Sequence, residues 1–334
     1  MNASLIWEWV IKSVVSVLVL TGGFAYVTLY ERKVLARMQV RIGPNRAGPA
    51  GLLQPIADAF KLIFKEGFVP TGADKFIYSL APVLTVIPAL IITAVIPWGP
   101  TITIGGRQIA LSIADINTGA LYLLTVTSIS VYGVTLAGWS SNNKYSMLGG
   151  LRATAQMISY ELALGMSYLG PILLAGSLSI TTIVNSQQHL WYVIFQPLGA
   201  LIYMVAAIAE VNRAPFDMPE AEQELTAGYL TEYGSMKFAM FYMAEYIKMI
   251  AVSMIGASLF FGGYWGPGVG TYPWLGPIYL FVKVVILLFG FIWIRATLPR
   301  IRYDRLMSFG WKVLFPLSVV NVMITAGVIL LVGG

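Results

Sequence analysis

Residues 276–296 read GPIYLFVKVVILLFGFIWIRA, and only Lys283 and Arg295 in this run carry a charge. The hydrocarbon core of a bilayer is about 30 Å thick, and a helix of about 20 apolar residues crosses it. This run therefore predicts a transmembrane helix. Similar apolar windows recur along the chain and predict an all-α integral membrane protein, a single membrane domain with about eight transmembrane helices. Their approximate limits are 11–30, 77–98, 116–138, 151–175, 190–211, 238–262, 276–296 and 309–332.

The composition excludes most other classes of protein. The 334 residues are 57% hydrophobic and 11% charged, whereas a soluble domain carries roughly 25% charged residues. The chain has no cysteine and one histidine, His189, which excludes thiolate-held iron–sulfur clusters, disulfides and multi-histidine metal sites. It also lacks the glycine-rich motifs of P-loop and Rossmann nucleotide sites. We therefore expect no cofactor and no metal on this chain.

The positive charge of the chain is explained by membrane topology. Of the 21 Lys and Arg residues, 17 fall in the segments that follow the first, third, fifth and seventh predicted spans. By the positive-inside rule these segments face the cytoplasm or its equivalent, and both termini lie on the opposite side. The net charge of +6 therefore gives no reason to expect a nucleic-acid partner.

Two segments between the spans have patterns of their own. Within residues 49–66, four polar residues recur at helical spacing on one stripe and apolar residues fill the rest, which predicts an amphipathic helix in the membrane interface. The stripe consists of Gln54, Asp58, Lys61 and Lys65. Residues 101–111 alternate about Gly105 and Gly106, a pattern typical of a short β-hairpin on the non-cytoplasmic side. A polar loop fits that segment equally well.

Carboxylates inside the predicted spans are the strongest candidates for function. A charged side chain near the bilayer centre costs about 2.5–3.5 kcal/mol on insertion scales, so membrane proteins keep few of them without a use. Four lie in or beside spans, namely Asp115, Glu161, Glu210 and Glu245. Asp115 could instead cap a helix, Glu161 could bond a neighbouring helix, and Glu245 could pair with Lys248 one turn away. Functional use is favoured for Glu161 and Glu210.

An acidic loop, about residues 212–237, follows the fifth predicted span. Six of the fifteen acidic residues lie between Glu210 and Glu232, on the side where the other segments are positive. A solvated loop is one interpretation, but interleaved Pro, Phe, Met and Leu residues favour packing against protein. Because crowded carboxylates cannot all ionise cheaply, such a cluster can exchange protons near neutral pH. Residue chemistry leaves two classes open: a stand-alone ion-coupled carrier and the membrane subunit of a larger redox complex.

Long motifs then point to one family. They are ERK at 31–33, RIGPNRAGPAGLLQPIADAFK at 41–61, LRATAQMISYE at 151–161, AEVNRAPFD at 209–217, MAEY at 243–246 and WIRATLPRIRYD at 293–304. Over about residues 10–330 the chain resembles the H-type membrane subunit of the proton-pumping NADH:quinone oxidoreductase, respiratory complex I, and its mitochondrial counterpart. The resemblance implies an eight-helix protein that forms much of a quinone tunnel and is active only within the complex.

The resemblance also implies roles for particular residues. The charged lining of the quinone tunnel falls on Arg32, Arg41, Asp58, Lys61, Arg213 and Arg295. A proton relay that couples quinone reduction to pumping falls on Glu161, Glu210, Asp217, Glu220, Glu222, Glu224 and Glu245. No catalytic residue is implied in this chain alone. Simpler interpretations remain for some of the tunnel residues, since Arg32 and Arg295 could serve topology and Asp58 could pair with Lys61 on the surface.

The implied partners are the hydrophilic quinone-site subunits, the antiporter-like membrane subunits, membrane quinone and lipids. FMN and iron–sulfur clusters are expected in those partner subunits. We expect quinone to reach the tunnel between the first span, the amphipathic helix and the sixth span. The implied location is the bacterial cytoplasmic (inner) membrane, with the mitochondrial inner membrane as the alternative. One alternative is that the chain is the corresponding membrane subunit of an ion-pumping complex linked to a hydrogenase or another electron donor. Such subunits usually lack the full motif that this chain has at residues 43–51.

Overall fold

The computed structural model describes residues 3–104, 107–218 and 227–332. Among these, seven helices are long and apolar enough to cross a membrane, which confirms the prediction of an all-α integral membrane protein. They span Ile6–Met38, Lys75–Val95, Gly119–Ser140, Lys144–Ala175, Ser235–Phe260, Leu275–Thr297 and Tyr303–Leu331. Each overlaps one of the predicted apolar windows, but none has both of the predicted limits.

We number the helices in chain order through the described residues. They are α1 (Ala3–Met38), α2 (Gln54–Phe64), α3 (Lys75–Ile91), α4 (Gly119–Ser140), α5 (Lys144–Ala175), α6 (Ile180–Asn185), α7 (Tyr192–Phe195), α8 (Pro197–Glu210), α9 (Ser235–Phe260), α10 (Leu275–Thr297), α11 (Tyr303–Phe309) and α12 (Phe315–Val332). Short 3₁₀ turns occur at Pro49–Gly51, Ile92–Val95 and Gly228–Leu230, and one π-helical turn at Gly310–Leu314 joins α11 to α12.

The window predicted at 190–211 is a broken helix. The four-residue α7 ends at Phe195, and α8 begins at Pro197. Between them lies Gln196, whose φ of −128° and ψ of 51° are not helical. The residue before a proline is pushed out of the helical conformation, which explains the break. The Gln196 amide donates to the Thr325 hydroxyl at 2.5 Å and accepts from Asn321 at 3.0 Å. With 14 residues, α8 is too short to cross a bilayer alone, so the eighth span stays a prediction.

The core of the molecule lies around α9. This helix packs against α1, α3 and α10, and all of its residues from Tyr246 to Phe260 are buried. A second close contact joins α3 to α4, where a Cβ atom at Gly133 would lie 2.9 Å from the Ala81 carbonyl oxygen. The helices that carry the candidate site are therefore held at fixed separations.

The two segments with distinctive patterns adopt regular structure. Residues 54–64 form α2, whose apolar side chains Ile56, Phe60 and Ile63 are exposed while Asp58 is half-buried. Strands β1 (Ile102–Ile104) and β2 (Arg107–Ile109) pair antiparallel, with Thr103 opposite Gln108. Gly105 and Gly106, at the predicted turn, lie outside the described residues. The side of the membrane on which these strands lie stays a prediction.

Candidate functional site

Four charged residues from different parts of the chain form a buried ion network. The Glu31 carboxylate on α1 accepts from both the Arg213 guanidinium, at 3.3 Å, and the Arg295 guanidinium. Arg213 Nε also lies 2.5 Å from Glu245 Oε1 on α9. The side chains of Glu31 and Arg213 are 4% and 6% exposed. Because protein encloses the Glu31 and Arg213 side chains, each of these two charges depends on its partners for compensation.

The end of α8 places Arg213 in this network. The Arg213 N–H donates to the Ile208 carbonyl and the Asn212 N–H to the Ala209 carbonyl, while Asn212 has a left-handed φ of 55°. This is the Schellman arrangement, in which an αL residue ends the helix, and asparagine tolerates that conformation better than most residues. The chain then turns sharply, and the Arg213 guanidinium lies 4.4 Å from the centre of the Tyr246 ring.

A small polar cavity adjoins the network. Its volume is about 30 Å³, and its walls include Glu210, Glu245, Lys248 and Tyr229. Glu210 is 1% exposed, and neither of its carboxylate oxygens has a hydrogen-bond partner among the described residues. A cavity of this size accommodates about two water molecules. A buried carboxyl group without protein donors is either protonated or hydrated, so this arrangement can hold and release a proton.

Glu161 lies within electrostatic range of the same cavity. It is on α5, where its carboxylate accepts a short hydrogen bond from the Ser128 hydroxyl of α4. The charge of Lys248 acts on Glu161, Glu210 and Glu245. One buried lysine thus interacts with three carboxylates from three helices. A change in the protonation of any one of them alters the field at the others.

A much larger cavity lies between α1, α2 and α9. Its volume is about 520 Å³, and its lining is mostly apolar, with Phe24, Ala59 and Met240 among the residues that form it. Arg32 and Asp58 also line it, and their side chains form an ion pair at 2.6 Å that joins α1 to α2. The dimensions suit a lipophilic molecule with a polar group near the pair.

The comparisons with known proteins agree on one family. A family model described as NADH dehydrogenase matches residues 11–326. The H subunit of the NADH-quinone oxidoreductase of Protochlamydia amoebophila is 55% identical over 302 residues, which cover 90% of this chain and 91% of that protein. The chain belongs to the H-subunit family. Two more H-subunit relatives are those of Thermomicrobium roseum, 50% identical over 317 residues with 92% of each chain covered, and Deinococcus deserti, 52% identical over 326 residues with 96% of this chain and 83% of that protein covered. The resemblance stated from the motifs is confirmed.

The structure brings six of the thirteen predicted site residues into the two cavities and the network. Arg213, Arg295 and Glu245 share the ion network, Glu210 and Glu245 share the small cavity, and Arg32 and Asp58 share the large one. Asp58 pairs with Arg32, and Gln54 Nε2 also donates to it at 3.0 Å. Their assignment to a quinone tunnel or a relay stays a prediction.

Other predicted site residues lie away from the two cavities and the ion network. Arg41 lines a separate, exposed cavity of about 650 Å³ beside Lys33 and Arg37. Lys61 is exposed on α2, and within the described part of the chain no ion pair joins it to Asp58. Asp217 is half-buried directly after the turn that follows α8. Three further relay residues, Glu220, Glu222 and Glu224, lie outside the described residues.

Glu31 is a residue of the site that was not predicted from the sequence. Glu31 is the only carboxylate within residues 31–53, but from the sequence alone it resembles any other charge in a loop. The structure also clarifies Lys283, whose ammonium group donates to the carbonyl oxygens of Phe261, Gly263 and Trp265 at 2.6–2.8 Å. Lys283 therefore holds the loop that follows α9.

Asp115, the carboxylate for which a helix cap was the alternative, accepts from the Ser179 hydroxyl at 3.2 Å. It is not the cap of α4, which begins after Thr118. Within the residues that the structure describes, no group of three or more His, Asp or Glu side chains is arranged to hold a metal ion.

Proposed function

We propose that this chain is the membrane subunit of a proton-translocating NADH:quinone oxidoreductase in the bacterial cytoplasmic membrane. In this proposal it forms much of the quinone tunnel and carries an acidic relay that couples quinone reduction to proton pumping. Hydrophilic partner subunits supply the electrons through FMN and iron–sulfur clusters, and antiporter-like membrane subunits receive the coupling signal. Family membership supports the assignment to the complex.

The quinone is proposed to enter through the large cavity. That cavity opens between α1, α2 and α9, where an isoprenoid tail can remain against apolar side chains while the headgroup approaches Arg32 and Asp58. The other charged residues assigned to the tunnel are Arg41, Lys61, Arg213 and Arg295. A cation beside the path stabilises negative charge that develops on a quinone during reduction.

One observation carries the coupling proposal: Arg213 is shared between Glu31 and Glu245. New negative charge near Arg295 or Arg213 competes with Glu31 for these guanidinium groups. The resulting shift alters the charge compensation of Glu245, which shares the small cavity with Glu210 and Lys248. Protons then redistribute through Glu210 and Glu161, and Asp217, Glu220, Glu222 and Glu224 are proposed to act in the loop.

The quinone path is tested with two substitutions on the same helix. Ala59 lines the large cavity, whereas Ala57, two residues away on α2, does not. We expect Ala59→Trp to raise the KM for quinone at least about fivefold in the assembled complex, because the indole fills part of the cavity. Ala57→Trp serves as the matched control. Equal KM values for the two variants would contradict the proposed path.

The relay is tested in the assembled complex with Glu161→Gln and Asp217→Asn. Each removes one titratable group with little change in volume, so each is expected to lower proton translocation, quinone reductase activity or both. Asp304→Asn is the control, since Asp304 forms an exposed pair with Arg302. If both test variants pump and reduce quinone like the control, the relay assignment fails.

The donor and the stand-alone alternative are tested by purification from the native membrane. The proposed complex predicts co-purification with subunits that oxidise NADH, and little activity from the chain alone. Hydrogenase subunits in their place would identify the donor-linked alternative. Ion flux through the purified chain in vesicles, without partners, would instead support a carrier.

A further inference from the structure

Gln156 makes an unusual set of contacts for a buried amide. It lies on α5 and is 0% exposed. Its Nε2 lies 2.9 Å from the Ala209 carbonyl oxygen, 2.6 Å from the Phe216 carbonyl oxygen and 3.1 Å from Asn212 Oδ1. With the amide turned round, its oxygen would face two backbone carbonyls that cannot donate. The contacts therefore fix the orientation of the side chain.

These acceptors lie at both ends of residues 209–216, which comprise the end of α8 and the turn that follows it. Ala209 and Asn212 belong to the Schellman ending of α8, and Phe216 closes the following turn, where its N–H donates to the Arg213 carbonyl at 2.8 Å. Residues 209–216 contain Glu210 and Arg213, which face the small cavity and the ion network. One side chain of α5 thus joins the beginning, middle and end of the segment that carries both residues.

We propose that Gln156 is a positioning residue of the coupling apparatus. Its amide holds the turn at residues 209–216 so that the Arg213 guanidinium reaches Glu31 and Glu245 together. The inference rests on the proposed function, because it assigns a purpose to a geometry that matters only if this network couples quinone reduction to pumping. Gln156 also lies on the helix that carries Glu161, so the same amide fixes the turn relative to that carboxylate.

The side chain itself does not exchange protons in this proposal. Its action is mechanical and passes through Arg213. Loss of its N–H groups leaves two buried carbonyl oxygens without this donor, and the turn is free to relax. The guanidinium then loses the position in which it bridges the two carboxylates.

The test is Gln156→Met in the assembled complex, with Gln187→Met as the matched control. Gln187 is also 0% exposed, and its amide donates to the Ile183 and Ser258 carbonyls away from the ion network. Protons translocated per electron and the KM for quinone are measured for both variants. We expect Gln156→Met to lower the proton-to-electron ratio at least about twofold and Gln187→Met to leave it unchanged, even if both reduce the yield of complex.

A double-substitution cycle separates positioning from general destabilisation. Because Gln156 acts through Arg213, Gln156→Met is expected to have little further effect on the ratio when Arg213→Gln is already present. If the two effects multiply independently, or if the control lowers the ratio equally, the inference is wrong. If Arg213→Gln alone leaves the ratio unchanged, the proposed function fails before the inference is reached.

A second variant keeps the test available if Gln156→Met does not assemble. Asn212→Gly retains the left-handed backbone and removes one of the three acceptors. We expect a smaller reduction of the ratio in the same direction. An unchanged ratio in this variant would overturn the inference in that case.

Discussion

The substitution Glu31→Gln removes the one carboxylate that two arginines share. Breaking a buried ion pair by removing one partner costs about 3–5 kcal/mol, because the other charge is left uncompensated. Here Arg213 keeps Glu245 at 2.5 Å, and the side chain of Arg295 is 31% exposed. We therefore expect the lower end of that range, about 3 kcal/mol.

Glu8→Gln is the control on the same helix. Glu8 pairs with Lys12 at 2.5 Å in an i, i+4 arrangement, and its side chain is 33% exposed, so its loss should cost about 0.3–0.5 kcal/mol. The assay is the half-life of quinone reductase activity in the purified complex at a fixed elevated temperature. Since about 1.4 kcal/mol corresponds to a tenfold change in rate, a cost of about 3 kcal/mol should shorten the half-life of Glu31→Gln on the order of 100-fold.

The control should shorten the half-life less than about threefold. Both variants keep the shape of the side chain, so they differ mainly in the surroundings of the lost charge. Equal half-lives for the two variants would refute the reasoning that Glu31 holds a buried network together.

Three further predictions follow from the packing and the polar contacts. Lys283→Met should lower the midpoint of thermal inactivation, because three carbonyl groups in the loop after α9 lose their donor, but the proton-to-electron ratio should be unchanged. Gly133→Ala should cost about 1–3 kcal/mol by overpacking and reduce the yield of assembled complex, whereas Gly165→Ala, whose nearest neighbour would be 3.6 Å away, should assemble normally. Asp58→Asn should weaken the half-exposed bridge to Arg32 and raise the KM for quinone, and high salt should raise the KM of the wild type toward that of the variant.

Much of the membrane architecture could be predicted because hydropathy is a local property. The apolar run at 276–296 lies within α10, and the predicted amphipathic segment at 49–66 contains α2. The break at Gln196 was not predicted. Its amide is satisfied by Asn321 and Thr325, more than 120 positions later, so a window average could not distinguish this buried amide from an ordinary residue of a span.

The residues of the candidate site could likewise be predicted only where the signal is local in the sequence. Charge counting found Glu161, Glu210 and Glu245, since a carboxylate inside an apolar window is visible in the sequence. It did not find Glu31, whose arginine partners follow it by 182 and 264 positions. Partners at such separations are set by helix packing, which spacing along the chain does not encode.

The proposed proton relay is tested most directly by the infrared difference spectrum that accompanies quinone reduction in the assembled complex. If Glu210 exchanges a proton during turnover, the spectrum of the wild type contains a carboxyl band that changes on reduction. That band should be absent in Glu210→Gln and retained in Glu66→Gln, which alters an exposed acid outside the site. A band of full intensity in Glu210→Gln, or no carboxyl band in the wild type, would contradict a relay that passes through Glu210.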